Sequence, residues 1–305
     1  MGEILQITAL TVGHFAHAIL SSETSAEICG QTSKGVFAVT NCKKVFFISH
    51  LPYSGPLTIN LQNSPSILEL IHPDSKLTLS KTVINFDHPP LEILLSPGIE
   101  IWSPASLDKK KFDLKAFTNH FTVLESEFLK QFSEDKSSLI SPLQWLDAIR
   151  SLPTIGESLA YLSGLIGKGE GLTPSGDDFI CGFFLAAHTW KDVLFPGLQL
   201  VESIQKIVEL AREKTTALSA NLIACAALGS ADERIMDCVK WLHQGEVAPA
   251  ETMKELRMYG SSSGIDTLAG MLACIHTSHL FSALLEYQPV NIFAGLFSNG
   301  FPVCF

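Results

Sequence analysis

The chain has 305 residues, with 21 Lys and Arg against 31 Asp and Glu, a formal charge of −10. That balance argues against nucleic acid, whose affinity for proteins rests on Lys and Arg neutralising phosphates, and no run of eighteen apolar residues exists to cross a bilayer. Charged residues make up 17%, well below the roughly 25% of an average soluble protein, so part of the surface is expected to lie under another subunit.

An early Glu3 and the lack of a basic start argue against a cleaved signal, and the length predicts two domains. Seven cysteines, odd in number and without a C-x-x-C spacing, read as reduced, mostly buried thiols of a cytosolic protein.

From residue 4 to about 105 the chain breaks into short runs rich in branched apolar residues. Strands are expected at Ile4–Leu10, Val36–Thr40, Val45–Ser49, Leu57–Leu61, Lys76–Leu79, Val83–Phe86, Leu91–Leu95 and Ile99–Trp102, with Gly, Pro and Ser between them. Such spacing predicts a mostly antiparallel sheet or small barrel over 1–105. After Ser103-Pro104 the period changes to that of helices. Helices are expected at Phe112–Phe132, Leu143–Leu152, Ile155–Ile166 behind a Thr154/Glu157 capping box, and Phe179–His188. The stretch Leu198–Leu228 reads as one helix or two, Ser230/Glu233 as a second capping box before Ile235–Leu242, and Pro249 as the start of a helix to about Met258. A last helix is expected over Ile265–Leu285, before an irregular tail. The fold class is therefore α+β, a β-rich N-terminal domain and an all-helical domain over 106–305.

The strongest local signal is Gly167-Lys168-Gly169-Glu170-Gly171-Leu172-Thr173-Pro174-Ser175-Gly176-Asp177-Asp178, set before an apolar helix. Glycines expose backbone N–H groups and a helix start adds partial positive charge, so the segment is built like an anion cradle. Its lysine precedes the turn, which separates it from a phosphate-binding Walker loop. The two aspartates admit two readings. In one, Ser175 is the N-cap, Asp178 sits at N3 and Asp177 favours the first turn. In the other, one carboxylate faces a cleft as a magnesium ligand or as acceptor for a substrate N–H or O–H.

A second segment, Gly260-Ser261-Ser262-Ser263-Gly264-Ile265-Asp266-Thr267-Leu268-Ala269-Gly270, repeats the first: Ser175-Gly176-x-Asp178-x-Ile180-x-Gly182 aligns with Ser263-Gly264-x-Asp266-x-Leu268-x-Gly270. Two like helix starts suggest one cleft for a phosphate or dicarboxylate ligand, against the plainer reading of a duplicated helical hairpin with similar caps. In a third segment, Thr215 and Ser219 are one helical turn apart and offer hydroxyls to the same pocket, or bond back to the preceding turn. His276 and His279 lack a third ligand, and no metal set is assigned; magnesium enters only if Asp177, Asp178 and Asp266 share an ion.

The motifs G-K-G-E-G-L-T-P-S-G-D-D at 167–178, T-T-x-x-S-A-x-L at 215–222 and G-S-S-S-G-x-D-x-L-A-G at 260–270 together resemble the AllH-like family, bacterial proteins that include the H subunit of oxamate carbamoyltransferase. That resemblance implies a subunit working with two others in purine breakdown through allantoin, in the reversible conversion of oxalurate and phosphate into oxamate and carbamoyl phosphate. Gly171, Thr173, Ser175, Gly176, Asp177 and Asp178 match the family's signature, as do Ser263, Gly264 and Asp266.

On this reading Lys168 neutralises the anion, the N–H groups of Gly169, Gly171 and Gly176 stabilise developing charge, and Asp177 or Asp178 orients or deprotonates the attacking nitrogen. Thr173, Ser175, Thr215, Ser219, Ser262, Ser263, Gly264 and Asp266 complete the ligand-binding set. Two other classes stay open. One is a non-catalytic scaffold subunit that senses a nucleotide or metabolite, and the other is a magnesium-dependent phosphotransferase or hydrolase.

Overall fold

The computed structural model describes residues 4–61, 70–134, 140–152, 154–245 and 249–278. Nine strands come first: β1 (Leu5–Gly13), β2 (Ser25–Thr32), β3 (Gly35–Thr40), β4 (Val45–Ser49), β5 (Thr58–Leu61), β6 (Lys76–Leu79), β7 (Val83–Phe86), β8 (Leu91–Leu94) and β9 (Glu100–Trp102). Eight of them close a barrel in the order β5, β4, β3, β2, β6, β7, β8, β1, with β1 returning to β5. β1 serves several neighbours. Its residues Leu5–Thr8 pair with β8 and Thr11–Gly13 with β9, and the register shifts between Ala9 and Thr11 against β5. Those two pairings and β4 with β5 are parallel, and the others are antiparallel.

The barrel is filled by inward-facing Val36, Ala38, Phe46, Ile48, Ile59, Ile84 and Ile93, all fully buried. Two of its elements go beyond the sequence expectation. β2 has few branched residues, yet Ala26 and Ile28 point inward between exposed Ser25, Glu27 and Cys29, the period of two that a sheet requires. The helix α1 (His14–Ser22) buries Ala16, Ile19 and Leu20, one narrow face. Its entry is tight, for the N–H groups of Phe15 and Ala16 both donate to Pro56 O, and a Cβ on Gly13 would stand 2.1 Å from Gly55 O.

The helices that follow are α2 (Leu114–Glu134), α3 (Ile140–Arg150), α4 (Ile155–Ser163), α5 (Ser175–Thr189), α6 (Lys191–Leu194), α7 (Val201–Lys214), α8 (Ala217–Ala227), α9 (Glu233–Gln244), α10 (Pro249–Met258) and α11 (Ser263–His276). Phe117, Phe121, Leu124 and Phe128 form the buried stripe of α2. Thr154 caps α4 as expected, accepting from Glu157 N at 3.2 Å. At α9 the cap is Asp232, whose carboxylate accepts from Arg234 N. Ser230 instead closes α8: Gly229 N donates to Ala226 O and Ser230 N to Cys225 O, a left-handed glycine ending that frees the serine hydroxyl from capping. Ser175 is likewise the first residue of α5, with Pro174 before it, so no side chain caps that helix. The expected extension of α11 to Leu285, His279 and Cys304 lie outside the described residues. Of the described cysteines, all free, Cys225, Cys238 and Cys274 are buried, whereas Cys29 and Cys42 are exposed, contrary to the expectation for most of the set.

The helical part has its own core, in which α5 and α11 are buried on nearly every face. α8 joins it to the barrel. Cys225 packs into the barrel core, Leu218 packs with Val39 and Val45, and the Asn221 side chain bridges the β3–β4 turn by donating to Lys43 O at 2.8 Å and accepting from Val45 N at 3.3 Å. Lys34 Nζ to Met258 O, 3.0 Å, and Glu233 N to Ser54 O, 2.9 Å, tie the same seam.

α5 and α11 cross backbone to backbone. A Cβ on Gly182 would lie 1.8 Å from Thr267 O, and one on Gly270 would lie 1.9 Å from Phe179 O, a reciprocal pair at equivalent positions of the two repeats. Gly270→Ala should therefore force the helices apart and cost about 3 kcal/mol or more in urea unfolding. Gly156→Ala in α4, where the nearest atom to the new methyl is 3.8 Å away, should instead stabilise by about 0.5–1 kcal/mol.

Candidate functional site

The glycine crossing sets the two helix starts side by side, and their side chains exchange partners. Asp178 lies beside the hydroxyl of Ser263 from the opposite repeat and that of Thr173, while Asp266 lies beside Ser175 from the opposite repeat and Ser262. Thr173 Oγ1 and Ser263 Oγ are themselves 3.1 Å apart. The arrangement is a local two-fold, for Asp178 stands to Ser263 as Asp266 stands to Ser175. Both aspartates are buried, and among the described residues Asp178 Oδ2 and both oxygens of Asp266 have no hydrogen-bond partner.

Burial is the main cause that raises all three carboxyls. Asp178 is pushed well above the usual carboxylate range, and the nearby Asp266 charge adds to the rise. Asp266 is pushed up to about 6, and the Ser175 and Ser262 hydroxyls only partly offset its desolvation. Asp177 also rises, yet it is well bonded. Its Oδ1 accepts from Gly167 N at 2.8 Å and its Oδ2 from the Thr215 hydroxyl. Asp177 therefore ties the glycine loop to the break between α7 and α8 with both oxygens engaged.

The third segment takes part in that tie. Thr215 lies in the break after α7, so it does not share a helix face with Ser219. Thr216 caps α8 by accepting from Ser219 N at 3.1 Å, and its hydroxyl donates to Leu172 O at 2.8 Å. Ser219 Oγ approaches the same carbonyl at 3.4 Å.

A cavity of about 560 Å³ opens between the barrel and the two loops, a size suited to a small molecule. Gly171, Thr173, Ser262 and Ser263 of the expected set line it. Lys168, Gly169, Ser175, Gly176, Asp177, Asp178, Thr215, Ser219, Gly264 and Asp266 do not. Gly176 N donates to Lys168 O at 2.8 Å and Gly264 N to Tyr259 O at 3.1 Å, so neither N–H is free for a ligand. Gly169 has φ +116° and packs against Ser175 N, where a Cβ would come to 2.6 Å, so it shapes the turn. Among the described residues no group of three or more His, Cys, Asp or Glu side chains is arranged to hold a metal ion.

The cations of the cavity come from elsewhere in the sequence. Arg234 is gripped by Asp232 through Nε and Nη2 at 2.7 and 2.9 Å, donates from Nη1 to Met258 O, and lies 3.9 Å over the Tyr53 ring. Its donors are largely spent within the protein. Lys34, at the tip of the β2–β3 hairpin, donates to Met258 O and, among the described residues, to no carboxylate, which leaves protons for a ligand. Burial, with Arg234 nearby, pulls its pKa down. No motif in the sequence singled out either residue. The one local hint is a Ser33-Lys34-Gly35 turn between two strands.

Asp266 makes stability depend on pH. Its carboxyl holds a proton in the folded chain between the ordinary 3.8 and about 6, so the stabilisation is full below 3.8 and is lost as pH rises through about 6. The interval corresponds to about 3 kcal/mol. Asp266→Asn should remove most of this loss, so that its unfolding free energy gains on the parent between pH 4 and pH 7. Equal pH slopes for the two would show that Asp266 is not the group.

No curated protein and no solved structure matches the chain. Residues 165–275, the stretch that holds both loops and both orphaned aspartates, match the family model described as oxamate carbamoyltransferase subunit AllH, and the resemblance carried by the motifs is thereby shown over that stretch.

Proposed function

We propose that the chain is a subunit of a carbamoyltransferase-type enzyme of the oxamate carbamoyltransferase kind, working with other protein subunits, and that it binds a small anionic substrate in the seam cavity. The observation that carries this reading is Lys34, which reaches the cavity opposite Thr173, Ser262 and Ser263 with protons to spare. The family match over the two loops supports the reaction class. An ammonium group held in a mostly apolar pocket attracts phosphate, carbamoyl phosphate, oxamate or oxalurate more strongly than it would in water.

The two loops divide the work in this reading. Thr173, Ser262 and Ser263 supply hydroxyls to the ligand, and Gly171 supplies an approach to the main chain. Asp178 and Asp266 lie behind those hydroxyls and act on the ligand through them, while Asp177 holds the loop in place. Lys168, exposed and away from the cavity lining, has no part in anion binding.

The test is a thermal-shift titration of the full chain with phosphate, carbamoyl phosphate, oxamate and oxalurate. A ligand that binds only the folded state raises the melting temperature by a few degrees near one hundred times its dissociation constant. Lys34→Met should abolish the shift and Lys168→Met should retain it. A shift that survives Lys34→Met, or one lost only on Lys168→Met, sinks the assignment of the cavity. In the assembled enzyme, Asp178→Asn should abolish turnover while leaving the melting temperature within a few degrees. Retained turnover in that variant overturns the role given to Asp178.

A further inference from the structure

Beside the main cavity, and sharing Asp232 and Tyr259 with its lining, lies a second, smaller space of about 20 Å³. Its walls include Asp178, Ser230, Tyr259, Thr267 and Asp232. Two of these bring polar atoms that satisfy nothing in the protein: Asp178 Oδ2 and Ser230 Oγ are both buried, each residue 3% exposed, and neither has a hydrogen-bond partner. Native interiors rarely leave two such atoms unpaired around one void, because each forfeits its hydration for nothing. A void needs about 10–15 Å³ to admit one water, and the water needs two to four polar partners. The chamber meets both requirements for one molecule.

We infer that a single water occupies this chamber and joins Asp178 Oδ2 to Ser230 Oγ, making Asp178 the residue that stores a proton behind the ligand cavity. The geometry gives the proton its place. Asp178 lines the chamber with its Oδ2 buried and unpartnered, and the hydroxyls of Ser263 and Thr173, residues that line the main cavity, lie beside its carboxyl. With a proton on the oxygen beside Ser263, Asp178 accepts from the water at Oδ2, and the water's second proton goes to Ser230 Oγ. A proton leaving for the ligand side passes from Asp178 to Ser263 Oγ as the Ser263 hydroxyl proton moves on, and Asp178 is left as carboxylate.

Among the groups facing Asp178, Asp266 from α11 and Asp177 on its own helix favour the protonated form, and the Ser263 and Thr173 hydroxyls pull the other way; Cys181, Tyr259 and Asp232 also line the chamber, the last already held by Arg234. Burial and the Asp266 charge both push toward the protonated form. Ser230 is free for this duty because its backbone, and not its hydroxyl, closes α8.

The inference deepens the proposed function but is tested without a ligand. Infrared spectra of the full chain at pH 7 should show the carbonyl band of a protonated carboxyl. Asp178→Asn should remove that component, and Asp266→Asn should keep it. Ser230→Ala should shift the band, since the water loses a partner, with the melting temperature held within a few degrees. A high-resolution crystal structure of the full chain should show one water within hydrogen-bond distance of both atoms. A dry chamber, or a band that survives Asp178→Asn, overturns the inference; if Asp178→Asn does not fold, the Ser230→Ala shift and the crystallographic water still decide it. A phosphate titration of the same proteins separates the two readings, because an intact band with no melting shift overturns only the anion site.

Discussion

The contact on which the rest depends is the crossing of α5 and α11 at Gly182 and Gly270. With a hydrogen in place of each Cβ, the two helices approach until main chain meets main chain, closer than any side-chain packing permits. That approach brings two helix starts together at one end. It also buries Asp178 and Asp266 away from bulk solvent, with serines of the opposite repeat as neighbours. The unusual electrostatics of the loops are thus a product of packing. Two carboxyls whose pKa values burial raises sit in the middle of a helical core because the glycines leave no space for anything else.

Much of this was legible in the chain. Short runs of branched apolar residues between turn residues marked seven of the eight barrel strands, and helical spacing marked Phe117, Phe121, Leu124 and Phe128. The internal repeat of Ser-Gly-x-Asp identified the pair of helix starts. β2 escaped notice because an inward Ala and Ile are enough for its burial, and α1 because its apolar face is a single turn wide.

The site was less legible for a different reason. Motifs record local shape, and the loop of Gly167–Pro174 does have the left-handed glycines such a turn needs. What a motif leaves out is which groups arrive from far along the chain. Lys34 meets Met258 O across 224 residues, and Arg234 is sandwiched against Tyr53 from the barrel. The lysine inside the motif, Lys168, stays in solvent and does not line the cavity. Asp177 and Asp178 are adjacent in sequence but differ wholly in surroundings. One helical step turns Asp177 toward Gly167 and Thr215 and Asp178 toward the opposite repeat.

The Lys34–Met258 bridge also fixes how this architecture can change. The segment that matches the family model begins at residue 165, so the loops and the aspartates lie inside it and the hairpin that carries Lys34 lies outside. The Lys34 hairpin and the buried carboxyls are therefore written in separate parts of the gene. A barrel hairpin with Asp or Gln in place of Lys34 would leave the glycine crossing untouched, since no atom of that crossing comes from the barrel. The helical half can in this way be a fixed frame beside which the barrel, through one exchangeable turn, changes the charge presented to the cavity.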